Sequence, residues 1–154
     1  MVERSSTGSG PSEDRTLATS RVIEAPRQRV WNAFSDPAQL ATWWGPNGFT
    51  NTFHEFDLRP GGRWRFVMHG PDGADFPNES VFVDVTPPER VIFKHESRPR
   101  FEMTITFVEQ GGSTLVGWRQ VFDTAAESER VAKLAIPANE QNLDRLIACV
   151  LGSR

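Results

Sequence analysis

The chain has 154 residues, with 17 Lys and Arg against 20 Asp and Glu, a formal net charge of -3 and one cysteine. A chain of this length forms one domain and buries roughly 70% of the surface that its unfolded form exposes, so a hydrophobic core can form without a disulfide. The mild negative charge argues against nucleic acid and anionic membranes as partners, and the absence of tyrosine excludes tyrosine-based acid catalysis.

The hydropathy pattern excludes a membrane span. The longest apolar stretch, residues 146–151, is far shorter than the roughly 18 residues that a spanning helix needs. The N-terminus shows no apolar signal segment. We therefore expect a cytoplasmic protein that does not insert into membranes.

The first 15 residues are rich in Ser, Gly and charge, with no apolar residue after Val2. Such a segment buries too little to offset its ordering entropy, so residues 1–15 are predicted to be a disordered tail and residues 16–154 the folded domain. The domain should open with a strand near residues 17–24.

Two short helices are predicted next. Pro26 suits the first turn of one helix, which carries an apolar face at helical spacing. In the second, Asp36 is placed to cap the N-terminus, Pro37 takes the first helical position, and the Gly-Pro pair at 45–46 stops the helix after Trp44.

Five turn segments divide the next stretch into six consecutive strands; they lie at residues 60–62, 70–73, 86–89, 97–99 and 110–112. Apolar and polar residues alternate in several of these strands, which predicts an antiparallel sheet with one dry and one wet face. The clearest apolar positions are Trp64, Phe66 and Met68 in one strand and Phe101, Met103, Ile105 and Phe107 in another.

A long C-terminal helix follows. Thr124 and Glu127 form a T-x-x-E capping box, and the apolar residues after them recur at helical spacing. Pro137 removes one backbone donor, so we expect a kink or a break near Ile136.

These elements predict an α+β fold in which a curved antiparallel sheet of about seven strands, with two short helices, closes its concave face over the long helix. The gap between a curved sheet and one helix is hard to fill with side chains. The architecture therefore favours an internal, mostly apolar pocket.

Five segments resemble a known family: residues 36–46, with a tryptophan pair before Gly-Pro, and residues 57–64, 88–91, 118–123 and 142–146. They are similar to homologues of the activator of the heat-shock protein 90 ATPase, in the START-like or SRPBCC superfamily. The resemblance covers about residues 16–150. It implies the helix-grip fold of the birch-pollen allergen and a hydrophobic cavity.

Three functions follow from this resemblance. The first is non-enzymatic binding of a small hydrophobic or amphipathic ligand, such as a lipid, a polyketide or a flavonoid-like molecule. The second is a co-chaperone-like interaction that stimulates a chaperone ATPase, and the third is an aromatase/cyclase-like enzyme. We expect no enzyme, because the sequence shows no catalytic constellation.

The candidate ligand-binding residues lie on the predicted dry face, in the tryptophan pair and on the last helix. The pair either gates the cavity or anchors the core, and His95 either orients a ligand or faces water at a strand end. No histidine spacing is typical of zinc, so neither a metal nor a cofactor is expected. The candidates are Trp43, Trp44, Trp64, Phe66, Met68, Phe82, Phe93, His95, Met103, Ile105, Trp118, Gln120, Asn142, Leu143 and Leu146.

Overall fold

The fold was analysed in a computed structural model that describes residues 14–152. Within that range the chain forms seven strands and three helices. The strands are β1 (Thr16–Ile23), β2 (Thr50–Phe56), β3 (Arg63–His69), β4 (Asp75–Thr86), β5 (Arg90–His95), β6 (Phe101–Gln110) and β7 (Ser113–Phe122). The helices are α1 (Arg27–Ser35), α2 (Pro37–Trp43) and α3 (Ala125–Leu151).

The strands form a single antiparallel sheet in the order β1-β7-β6-β5-β4-β3-β2. Strands β2 to β7 are the six consecutive strands that the turn segments predict, and β1 pairs with β7. The alternation also holds, because Trp64 and Phe66 on β3 and Met103, Ile105 and Phe107 on β6 are all buried. The predicted helix-grip architecture is therefore confirmed.

Local capping explains where two helices begin. The Asp36 carboxylate accepts hydrogen bonds from the backbone N–H of Ala38 and from the Gln39 amide, and Pro37 occupies the first helical position of α2. At α3, the Thr124 hydroxyl accepts from the backbone N–H of Glu127 at 3.0 Å. The bonds from Ala38 and Glu127 each satisfy a backbone N–H that the helix itself leaves unpaired.

Helix α1 begins one residue later than its sequence suggests. Pro26 is the cap residue, and the helix starts at Arg27.

Of the kink or break expected near Ile136, the break does not occur. Helix α3 runs unbroken for 27 residues with Pro137 inside it. The proline leaves the carbonyl of Lys133 without its helical donor, and this part of the helix faces solvent, since Leu134 is 80% exposed and Ile136 is 51% exposed. Water can satisfy that carbonyl, so the helix continues.

Only the second half of α3 packs into the core. Leu143, Leu146 and Val150 are buried against the sheet and the short helices, whereas no apolar residue before position 143 of this helix is fully buried. The helix is therefore held at its C-terminal end and stands off the sheet further toward its N-terminus. This asymmetry positions the candidate site.

The predicted disordered tail lies outside the described residues except for Asp14 and Arg15. Arg15 extends the pairing of β1, because its carbonyl accepts from the Phe122 N–H at 2.8 Å and its guanidinium donates to the Phe122 carbonyl at 2.9 Å.

The β2–β3 turn gives a test of the fold. A Cβ at Gly62 would overlap the backbone carbonyl of Asp57, while a Cβ at Gly112 would have no atom within 4 Å. We expect Gly62→Ala to lower the free energy of unfolding by at least about 2 kcal/mol. Gly112→Ala, the matched control, should change it by less than about 0.5 kcal/mol. Urea denaturation measures both, and equal stability of the two variants would contradict this packing.

Candidate ligand-binding cavity

A cavity of about 620 Å³ opens between the sheet and the part of α3 that stands off it. Its helix wall is formed by Ala135, Ala138, Asn139 and Asn142. The sheet wall comes from the interior face of β6 and β7. Loops and strand ends complete the rim, because antiparallel connections bring the α2–β2 segment, the β3–β4 hairpin and the β5–β6 loop to the same end of the sheet.

Seven of the fifteen predicted ligand-binding residues line this cavity: Trp44, Met68, His95, Met103, Trp118, Gln120 and Asn142. The other eight lie outside its lining and pack against one another in the core: Trp43, Trp64, Phe66, Phe82, Phe93, Ile105, Leu143 and Leu146. Whether any of the fifteen contacts a ligand remains a prediction.

The eight residues outside the lining all belong to the hydrophobic core. Trp64 stacks on Phe66 with ring centroids 4.7 Å apart and meets Phe93 edge-on at 5.3 Å, and Trp43 donates its indole N–H to the Ala33 carbonyl at 2.9 Å. Large rings therefore fill the middle of the sheet. The tryptophan pair divides, with Trp43 in the core and Trp44 between core and cavity.

The cavity also has lining residues that were not among the candidates, although Phe101 lies on the predicted dry face. Most of the others lie in loops and strand ends, where alternation gives no signal, and three lie on α3. The full set is Gly45, Pro46, Phe49, Phe76, Pro77, Asn78, Ser97, Arg98, Pro99, Phe101, Ala135, Ala138 and Asn139.

The floor of the cavity consists of aromatic rings and flexible thioether side chains. The rings of Trp44 and Trp118 lie 5.6 Å apart at an angle of 34°, and Met68 and Met103 border the same space. Thioether side chains adjust to irregular shapes at low cost. This lining suits a flat apolar guest.

Hydrogen bonds fix two polar side chains in the walls. The Asn142 Oδ1 atom accepts from the backbone N–H of Gly45 at 3.0 Å, and the Asn139 amide donates to Gln120 Oε1 at 3.1 Å. Two further polar atoms lack a partner among the described residues, the indole Nε1 of Trp118 and the Nδ2 of Asn142.

His95 faces the cavity rather than open solvent. Its exposed fraction is 8%, its ring stacks on Phe101 at 4.5 Å, and its Nδ1 lies 2.8 Å from the Pro99 carbonyl. The Nε2 atom lies 2.5 Å from Asn78 Oδ1 and 3.4 Å from Ser97 Oγ. The sequence left open whether His95 faces inward or faces water at a strand end, and in the structure it faces inward.

Burial lowers the pKa of His95 below its ordinary value, while hydrogen bonds to the backbone of Pro99 and Ser97 act in the opposite direction. The imidazolium is less well solvated here than in water, so the neutral ring is favoured. Neutral imidazole keeps one N–H, which donates either to the Pro99 carbonyl or to Asn78 Oδ1.

Arg145 fastens α3 to the α2–β2 segment. Its guanidinium donates to the carbonyls of five residues at 2.8–3.3 Å, and burial lowers its pKa. The positive charge is stabilised by carbonyl dipoles, and no described carboxylate forms an ion pair with it. The acceptors are Thr42, Trp44, Gly45, Pro46 and Phe49.

A second arginine holds the other side of the same helix. Arg21 on β1 donates to Glu140 and Asp144 at 2.8 Å each. With Arg145 it clamps α3 between the edge strand and the α2–β2 segment, next to the cavity.

The cavity lining contains few charged side chains. Among the described lining residues, Arg98 is the one permanently charged side chain, and Asp and Glu are missing from the set. The potential inside therefore does not favour a cationic guest.

A hydroxyl, an imidazole and a carboxylate meet elsewhere, across β2, β3 and β4. Thr52 Oγ1 lies 2.8 Å from His69 Nε2, and His69 Nδ1 lies 2.7 Å from Asp75 Oδ1. The order of groups matches that of a hydrolytic triad, which the sequence did not reveal. All three lie on the exposed side of the sheet and none lines the cavity, so we interpret them as a surface hydrogen-bond network.

No group of three or more His, Cys, Asp or Glu side chains in residues 14–152 is arranged to hold a metal ion. In the same part of the chain, no helix has the length and apolar character needed to cross a bilayer.

A curved antiparallel sheet, a long closing helix and a cavity between them define the START-like class of proteins. Residues 24–150 match the family described as activator of Hsp90 ATPase homolog 1-like protein, and the chain belongs to this family. No curated protein matches the sequence.

Solved structures share this fold. A protein from Nitrosomonas europaea has a TM-score of 0.82 at 21% identity, covering 90% of this chain and 96% of its own. A protein from Chromobacterium violaceum has a TM-score of 0.77 at 27% identity, and the match covers 90% of this chain and 99% of that one. A protein from Mycobacterium smegmatis has a TM-score of 0.76 at 26% identity, and the match covers 90% of each chain.

The arginine clamp can be tested by removing its donors. Arg145→Met keeps most of the side-chain length but leaves five carbonyls without the guanidinium, so we expect the free energy of unfolding to fall by about 2–4 kcal/mol. Arg130→Met, on an exposed turn of the same helix, should cost less than about 1 kcal/mol. Urea denaturation gives both values, and similar losses would contradict the clamp.

The lowered pKa of His95 predicts a pH dependence. The unfolded chain binds a proton on this residue at a higher pH than the folded chain, so stability is full above about pH 6.5 and falls as the pH drops through the folded-state pKa. In His95→Gln, the part of the pH dependence of the unfolding free energy that comes from His95 should disappear. Chemical denaturation between pH 7.5 and 5 measures it, with His54→Gln as a control, and an unchanged slope in His95→Gln would refute the assignment.

Proposed function

We propose that this protein binds a small hydrophobic or amphipathic molecule in the cavity between its sheet and α3, without transforming it chemically. The observation that carries the proposal is the cavity of about 620 Å³ between the sheet and the unburied part of the helix. Ligand pockets typically measure about 300–1,000 Å³ and are mostly apolar.

The energetics support binding of a flat apolar body. A guest that buries about 200 Å² of apolar surface gains about 5 kcal/mol at about 25 cal/mol per Å². The rings of Trp44 and Trp118 and the thioethers of Met68 and Met103 offer the complementary surface. Lipids, polyketides and flavonoid-like molecules are the classes that this chemistry suits.

The lining also supports binding rather than catalysis. Among the described lining residues, the titratable ones are His95 and Arg98. The ring nitrogens of His95 lie against the Pro99 carbonyl and Asn78 Oδ1, and the Arg98 guanidinium has donors but no acceptor. An aromatase/cyclase-like reaction needs a positioned acid and base, which this pair does not supply.

The chaperone interaction implied by the family description remains a prediction, as does a cytoplasmic location. Neither conflicts with ligand binding, because a chaperone would contact the exterior of the domain.

Filling the cavity from the helix side tests the proposal. Ala138 lines the cavity, whereas Ala148 lies on an exposed face of the same helix. We expect the neutral probe N-phenyl-1-naphthylamine to gain fluorescence with the wild-type protein and with Ala148→Trp, and to bind Ala138→Trp at least fivefold more weakly.

The readout is a fluorescence titration, and thermal melts of both variants confirm that they fold. Equal affinity for the two variants would place the probe elsewhere. No binding to the wild-type protein at micromolar concentrations would reject the proposed function for this class of ligand.

A further inference from the structure

The rim of the cavity carries an arginine that has no counter-ion. Arg98 lies in the β5–β6 loop, lines the cavity and is exposed, so its side chain is accessible to a molecule that enters there. It forms no ion pair with a carboxylate of residues 14–152. The positive potential of an unpaired guanidinium favours an anion at this place.

The carboxylates that share a neighbouring pocket with Arg98 are already paired. Asp123 lies 3.3 Å from Arg100, and Glu127 forms an ion pair with Arg130. Three arginines therefore stand against two carboxylates at this corner of the domain. The excess positive charge belongs to Arg98, which also lines the cavity.

Two further carboxylates of β4 and the β5–β6 loop do not supply the missing counter-ion. Glu96 lies two positions before Arg98 but lines a different pocket, beside Lys94. Glu79 on β4 forms its ion pair with Arg63. Within the described lining of the cavity itself, Asp and Glu are absent.

Contacts on both sides of Arg98 hold the backbone of its loop. The His95 Nδ1 atom lies 2.8 Å from the Pro99 carbonyl, and the His95 ring stacks on Phe101 at 4.5 Å. The proline ring also restricts the residue before it, Arg98, to extended backbone. An anion at the rim therefore needs to order only a side chain, which keeps the entropy cost of binding low.

The rest of the lining requires that the anion be one end of an apolar molecule. Trp44, Trp118 and Met103 form the floor, and Arg98 is the one permanent charge among the described lining residues. The chain as a whole carries a net charge of -3, which repels anions at long range. A preference for an anion would therefore come from the local contact with Arg98.

We propose that the ligand is an amphipathic carboxylate, whose apolar body lies on the aromatic floor and whose anionic end pairs with Arg98 at the rim. This inference rests on the proposed function and adds the charged group of the ligand. A guanidinium matches a carboxylate with two parallel hydrogen bonds. A phosphate monoester carries close to two negative charges at neutral pH, and one arginine would leave part of that charge unpaired.

A ligand pair of nearly equal shape tests the charge directly. In 1-naphthylacetate a carboxylate oxygen stands where 1-naphthylacetamide has NH₂. Their affinities are measured by displacement of N-phenyl-1-naphthylamine, which is uncharged. We expect the wild-type protein to bind the carboxylate at least about fivefold more tightly than the amide, and to bind the cation 2-(1-naphthyl)ethylammonium more weakly than either.

Variants then locate the contact. Arg98→Gln removes the charge but keeps hydrogen-bonding groups, and Arg98→Lys keeps the charge without the planar fork of the guanidinium. Arg29→Gln is the matched control, because Arg29 is an exposed residue of α1 outside the cavity lining and its loss changes the net charge equally. Thermal melts confirm that each variant folds.

The ratio of carboxylate to amide affinity is the readout, since a change in packing alters both ligands alike. A ratio that falls at least about threefold in Arg98→Gln, less in Arg98→Lys and not in Arg29→Gln, supports the proposal. Equal affinities of carboxylate and amide for the wild-type protein, or a ratio unchanged in Arg98→Gln, would overturn it while leaving apolar binding intact. Failure of the uncharged probe itself to bind would instead reject the proposed function.

Discussion

One polar contact, the guanidinium of Arg145 against the carbonyls of residues 42–49, joins α3 to the segment after α2. A buried cation is costly unless its donors are satisfied, and here the irregular backbone after α2 satisfies them. The contact joins the second half of the helix, which packs into the core, to the segment that carries Trp44. The first half has no comparable attachment to the interior face of the sheet, and the cavity lies at the transition between the two halves.

The cavity is displaced from the middle of the sheet to one end. Aromatic rings around Trp64 and Phe34 fill the centre, with edge-to-face and stacked contacts between 4.7 and 6.5 Å. The cavity therefore has an aromatic floor on one side and helix and loop residues on the others. The family implies a hydrophobic cavity, and this chain has one that is smaller than the whole space between sheet and helix.

The sequence predicted the sheet and its dry face because alternation is a local signal: Trp64 and Phe66 had to face the core whatever their partners. It predicted α2 and α3 because Asp36 and Thr124 cap within three residues of themselves. It could not separate core from cavity, because Phe93 and Met103 share one face and differ only in whether a distant ring or an empty space lies opposite. That difference depends on where α3 leaves the sheet, which is set by non-local contacts.

Pro137 lies between Ala135 and Ala138, the two small residues of the cavity's helix wall. A proline inside a helix removes the hydrogen bond that would otherwise resist bending at that turn. The same turn bears no buried apolar side chain that would hold it down. This turn of the wall therefore lacks both a backbone hydrogen bond and a buried apolar anchor, so bending there would leave the aromatic floor packed.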